Sequence, residues 1–275
     1  MRKTLSSYHP ILYALRVAQR RCCRFLSWHL SRRHYSNIRK PCERLPYRHF
    51  KHTSKLISRR GESDIELQYN KITNLKLVEA CLNGVVIKPG EYFSFCYLVG
   101  KPSYKRGFID GMQLSNGEAR RGVGGGICQA SNLLHWLALH SALTVVEKAN
   151  HSFDPFPDEG RVLPFGSGAA IFYNYIDLVL HNPTEDEYQI MLHVAEEQLE
   201  GELLCSQPRE CSYHVYEKAS RFIKKGEHIY RENEIWRDIS TKHNVGAFPK
   251  RLSSEQLYRN SVVVKYPVAQ EHIEI

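Results

Sequence analysis

One stretch, RRGVGGGICQASNLLHWLALH at residues 120–140, holds residues whose types and order can do chemistry. Three glycines in a row, Gly124, Gly125 and Gly126, stand just ahead of Cys128 and Gln129, and a helical apolar period follows. Glycine lets the backbone take positive φ and approach another group closely. A helix start leaves several N–H groups without an intrahelical partner and carries about half a positive charge. A thiol placed there is favoured as thiolate, with its pKa drawn down from about 8.5. The N–H groups around Gly126 are placed to hold an oxyanion, and Gln129 can assist. On this reading Cys128 is the nucleophile of an acyl transferase or hydrolase acting on an amide or ester. Two other readings stay open. The loop can hold an anionic or peptide ligand without chemistry, or it is a tight turn around a buried cysteine. A nucleotide is disfavoured, because Gly-Ile-Cys stands where a phosphate loop needs Gly-Lys-Ser/Thr.

A nucleophile needs a base, and the base needs an orienting group. His135 and His140 lie seven and twelve residues along the same helix, a turn or more beyond reach of Cys128. His151, in KANHSFD, follows the strand that returns from the helix and is the candidate base. Asp177, alternating with Ile171, Tyr173, Tyr175 and Val179 on the next expected strand, is the candidate orienter. No metal or cofactor is called for. Cys205, Cys211 and His214 fit no standard zinc spacing and lack a fourth ligand.

These residues need a framework. A basic amphipathic helix is expected over 9–30, with Ile11, Leu15, Ala18, Cys22 and Phe25 as its apolar stripe. That stripe either packs on the domain or lies on a membrane. Residues 31–60 read as an irregular connection. A helix is expected over 69–82, stopped by Asn83-Gly84, then short strands over 85–87 and 92–96 around a Pro89-Gly90 turn. Asn116-Gly117 marks a hairpin. The cysteine helix should cover about 127–142, followed by strands at LTVVEKA and AAIFYNYIDLVLH and several more beyond Glu185. Strands joined by short turns with few helices between them imply an α+β class: N-terminal helices, a glycine-loop/cysteine helix on a mostly antiparallel sheet, and a β-rich C-terminal part. The divisions implied are a basic arm at 1–60, a core at 61–195 and a β-rich extension at 196–275.

Composition adds a sharp asymmetry. Residues 1–60 hold sixteen Lys or Arg and one acid, while the rest of the chain carries a net charge of −6. Such an arm suits an anionic membrane surface or an acidic partner, or pairs with its own acidic body. Nucleic acid is disfavoured, since no binding motif accompanies the charge. The start of the chain does not read as a secretory signal, so a cytoplasmic protein is expected, peripheral on the inner membrane face if the arm docks there. Free thiols are then the default for its eight cysteines.

LNGVVIKPGEYFSF, GGGICQASNLLHWLALH, His151-Ser152 and IDLVLHN together resemble the VanW family, over about residues 60–195. The resemblance implies bacterial origin and a link to glycopeptide resistance and cell-wall maintenance, with a cell-wall precursor or peptide as ligand. By position, Gly124, Gly125, Gly126, Cys128, Gln129 and His151 match the family motif. The family pattern carries an acid just ahead of the long strand, where Ser167 and Gly168 stand here.

Overall fold

A computed structural model describes residues 10–57, 65–115, 118–150, 153–154, 162–242 and 250–274. Helix α1 covers Pro10–Leu30. The reading of 31–60 as irregular is corrected by strand β1, Tyr47–Lys55. Its basic side chains find acids across the sheet: Lys51 lies 2.8 Å from Glu200 and 3.7 Å from Glu202, and Arg44 and Arg48 also reach Glu202. Opposite charges facing each other across antiparallel strands favour pairing. Part of the basic arm thus neutralises the acidic body of its own chain.

Helix α2, Ile65–Leu82, ends at Asn83-Gly84 as expected, and strands β2 (Val85–Ile87) and β3 (Tyr92–Ser94) follow. β3 stops earlier than expected because Ser94 caps a short helix α3, Phe95–Val99, its hydroxyl accepting from Tyr97 N–H at 3.1 Å. Strands β4 (Asp110–Ser115) and β5 (Glu118–Val123) pair antiparallel around the Asn116-Gly117 signal, which lies outside the described residues. Helix α4, Cys128–Leu139, leads to β6 (Thr144–Glu147) and β7 (Phe153–Asp154).

The long strand expected over AAIFYNYIDLVLH is not formed. Only Val179–His181, strand β8, is extended. Asn174 takes φ +55°, and the N–H groups of Tyr175 and Ile176 both donate to Phe172 C=O at 2.8 Å, so 172–176 closes into a tight loop. Strand alternation therefore does not apply to Asp177. Strands β9 (Tyr188–Val194), β10 (Gln198–Cys205), β11 (Cys211–Lys225), β12 (His228–Thr241), β13 (Arg251–Val264) and β14 (Ile273–Glu274) complete the chain.

The class is α+β. One antiparallel sheet runs β1-β10-β9-β2, a second β3-β8-β6, and the C-terminal sheet β14-β11-β12-β13-β7 has parallel pairs only at its two short outer strands. α4 sits at the centre. Ala130, Leu133, Leu134 and Leu137 enter the main core with Leu75, Val78, Phe93, Leu180 and Leu192. Trp136 and Leu139 join Val215 and Ile235 of the C-terminal sheet instead. A helix apolar on so much of its circumference is buried on most sides, and that fixes the direction in which its first turn points.

α1 reverses the usual arrangement. Val17, Arg21, Arg24 and Trp28 form its inward row. Arg24 forks onto Glu147 of β6, the Arg20 and Arg21 guanidiniums lie over Tyr175 and Tyr173, and Trp28 meets Tyr97 edge-on. The apolar stripe faces solvent, with Ile11 62% and Leu15 61% exposed.

Candidate functional site

The glycine loop is held from three sides. Asn74 of α2 donates to Ile109 C=O at 3.0 Å and Gly125 C=O at 2.9 Å, and accepts from Ile109 N–H. Gly125 runs so close to Gly111 of β4 that a Cβ on either residue would collide with backbone. Gly126 takes φ +88° with the Lys71 stem laid across it, leaving no room for a side chain. The Gly124 N–H donates to Ile109 C=O and that of Gly125 to Gly122 C=O. Those two amides are therefore engaged within the loop, and the solvent-reaching surface is made by Gly126, Cys128 and Gln129.

α4 is clamped along one flank by residues 164–171. His135 meets Ser167 C=O at 2.6 Å, Asn132 accepts from Ala169 N–H at 2.7 Å, and Ser131 Oγ donates to Ala169 C=O at 2.6 Å. At the end of this clamp the Ile171 N–H donates to Cys128 Sγ at 3.4 Å, and the thiol is 3.8 Å from Ile171 C=O. The residue is half-buried, but its sulfur is turned inward under Ile171, and burial raises the thiol pKa. This corrects the expectation of a lowered value.

The other candidates are placed as follows. Gln129 Nε2 donates to Ser54 Oγ and Lys55 C=O, each at 2.8 Å, which ties α4 to the end of β1. Asp177 is fully buried; its oxygens accept from Ser94 Oγ at 2.6 Å and Cys96 N–H at 2.9 Å, fastening the start of α3. Burial raises the Asp177 pKa against those hydrogen bonds and the Arg24 charge. Cys128 thus stays beside the glycine loop, of which only Gly126 reaches the surface, while Asp177 fastens α3 and the Gln129 amide ties α4 to β1. His151 lies outside the described residues.

His135 and His140 pack rather than react. Ser167 C=O can only accept, so His135 Nδ1 carries the proton and Nε2 accepts from Tyr258 OH at 3.0 Å. Burial drives the His135 pKa down to about 3. His140 donates from Nδ1 to Trp136 C=O, stacks on Phe50 at 4.0 Å, and is lowered by burial to about 4. Ser167, where the family resemblance places an acid, donates to Pro164 C=O at 2.6 Å.

Two lysines escaped the sequence reading. Lys71, over Gly126, is lowered by burial to about 8. Lys148 is also lowered by burial to about 8; it donates to Gly166 C=O at 2.6 Å and lies over the Tyr258 ring. With Asn150 and Asn260, Lys148 and Tyr258 line a groove of about 440 Å³ between β6 and β13. No spacing rule links position 71 to 126; the only cue was Lys71 in a helix that must pack near the loop.

The sequence model of the VanW like protein family matches residues 70–204, a span that includes the loop, α4 and Asp177. The whole chain is 30% identical over 269 residues to the vancomycin B-type resistance protein VanW of Enterococcus faecalis, covering 98% of this chain and 96% of that protein. The chain belongs to the VanW family. A second match, 33% over 89 residues, is to the uncharacterized protein YoaR of Bacillus subtilis, covering 32% of this chain and 29% of that one. No solved structure matches this VanW-family chain at a comparable significance.

Proposed function

We propose that this chain serves vancomycin-type glycopeptide resistance as an accessory binding protein, holding an anionic group of a cell-wall precursor peptide at the start of α4 without cleaving it. The observation that carries this reading is Lys71. Its stem crosses Gly126, the residue two ahead of α4, and its ammonium is partly desolvated by burial, next to the half-buried Gly126 and Cys128. A helix N-terminus and an ammonium together favour a carboxylate or phosphate. A neutral thiol satisfied by Ile171 supports binding over nucleophilic attack.

The test is calorimetric titration with a precursor stem peptide bearing a free C-terminal carboxylate, and with the same peptide amidated. Binding is expected for the carboxylate form, to weaken as pH rises through about 8, where Lys71 loses its proton, and to survive Cys128→Ser. Lys71→Met is expected to weaken it about tenfold and remove the pH dependence, an ion-pair loss of about 1.4 kcal/mol. If Cys128→Ser abolished binding or product formation while Lys71→Met changed neither, the cysteine-dependent acyl-transfer reading would replace this one.

A further inference from the structure

We propose that α1 lies flat on an anionic membrane surface, its outward apolar stripe set into the lipid headgroup region and the body of the protein held beneath its inward arginine row. The inward row is committed by contacts to the body. Arg24 forks onto Glu147, Arg21 lies over Tyr173, and Trp28 packs on Tyr97. That anchoring leaves Leu12, Leu15, Leu26 and Leu30 in line at helical spacing on the opposite side, flanked by Ile11 and Phe25. All six are exposed, Leu30 to 77%. An ordinary surface helix buries its apolar stripe and turns its arginines to water. Here the polarity is inverted, and two exposed apolar groups on one face, Ile11, Leu12 and Leu15 and then Phe25, Leu26 and Leu30, with Gln19, Cys22 and Cys23 between them, mark an interaction surface.

The charge around the stripe selects the occupant. Arg16 borders it, Arg20 sits between it and the inward row with its guanidinium over Tyr175, and Arg32 and Arg33 follow the helix, apart from the Arg44, Arg48 and Lys51 side chains that pair with Glu200 and Glu202. Apolar side chains bordered by arginines fit lipid with anionic headgroups, where acyl chains accept the leucines and each basic residue near the surface adds about 1 kcal/mol. A second copy of the chain would set the same bordering arginines against themselves. At 21 residues α1 would lie about 31 Å along the surface. Among the described residues, no helix is long and apolar enough to cross a membrane, so the contact is one of docking along a face.

The experiment is cosedimentation of the full chain with vesicles of phosphatidylglycerol and phosphatidylcholine in equal parts, and with phosphatidylcholine alone, at about 0.1 M NaCl, where the Debye length is about 10 Å. The wild type is expected to pellet with the anionic vesicles only and to be released by high salt. The double variant Leu15→Glu/Leu26→Glu should bind at least about tenfold more weakly, and Arg16→Glu about fivefold. These side chains face solvent, so helicity by circular dichroism and the melting temperature should match wild type. Equal pelleting of the double variant and the wild type overturns the proposal, as does equal pelleting on neutral lipid. Failure of the wild type to pellet also overturns it. Sedimentation velocity would then show whether a dimer, broken by Leu15→Glu/Leu26→Glu, covers the stripe instead.

Discussion

The Cys128 thiol is under two opposing influences, and their magnitudes decide its state. The α4 dipole favours thiolate by about 0.3–1 kcal/mol in an exposed setting. Removing a charge from water shifts pKa values by up to several units, at about 1.4 kcal/mol each. With the sulfur turned under Ile171, desolvation outweighs the dipole. Iodoacetamide should therefore label Cys128 more slowly at pH 7 than exposed Cys22 or Cys42, with a pH midpoint above the ordinary thiol range; mass-spectrometric labelling kinetics measure both. The glycines make a sharper prediction. A Cβ at Gly125 would strike the backbone of Gly111, which cannot rotate away. Gly125→Ala should cost about 1–3 kcal/mol or more in urea unfolding, as overpacking a tight site does.

At the scale of elements, the expected strand after residue 168 is where the sequence misled. Ile171, Tyr173, Tyr175 and Val179 alternate as a strand should, yet residues 164–171 are used as a clamp along α4. The side chains of Ser131, Asn132 and His135 satisfy that backbone in place of a sheet partner, a competition that alternation cannot reveal. The same difference relocates Asp177 to the start of α3, facing two donors. Asp177→Asn would turn an amide N–H₂ toward one of them. It should lower stability by about 1–3 kcal/mol, read as a fall in melting temperature, with no change in the alkylation rate of Cys128. A parallel loss of Cys128 reactivity would place Asp177 in a catalytic relay after all. β1 was hidden for a related reason: Arg, His, Lys and Ser, which make weak strand signals, outnumber Tyr47, Phe50 and Thr53, and its pairing depends on Glu200 and Glu202, about 150 residues away.

For the whole molecule, two buried histidines join the layers. His135 connects α4 to β13 through Tyr258, and His140 lies between Phe50 of β1 and Trp136. Both stay neutral in the fold down to pH values of about 3 and 4, whereas in the unfolded chain each takes up a proton near 6.5. Between those limits the unfolded state binds more protons, so stability is full above pH 6.5 and falls on acidification by up to about 1.4 kcal/mol per unit for each histidine. Urea midpoints measured from pH 8 to 4 should show that slope, and His135→Gln should lower stability at pH 8 while flattening the slope. By itself the sequence determined the α+β class, the α2, hairpin and α4 elements, the glycine-cysteine turn and the family, because helical period, turn glycines and a local motif are properties of neighbouring residues. Only the tertiary structure decided that Lys71 crosses Gly126, that the sulfur turns inward, that Asp177 serves α3 and that α1 turns Arg21 and Arg24 toward the body while its leucines face out. Each of those depends on which distant surface a side chain meets, and burial and charge at such contacts are set by packing that no local pattern encodes.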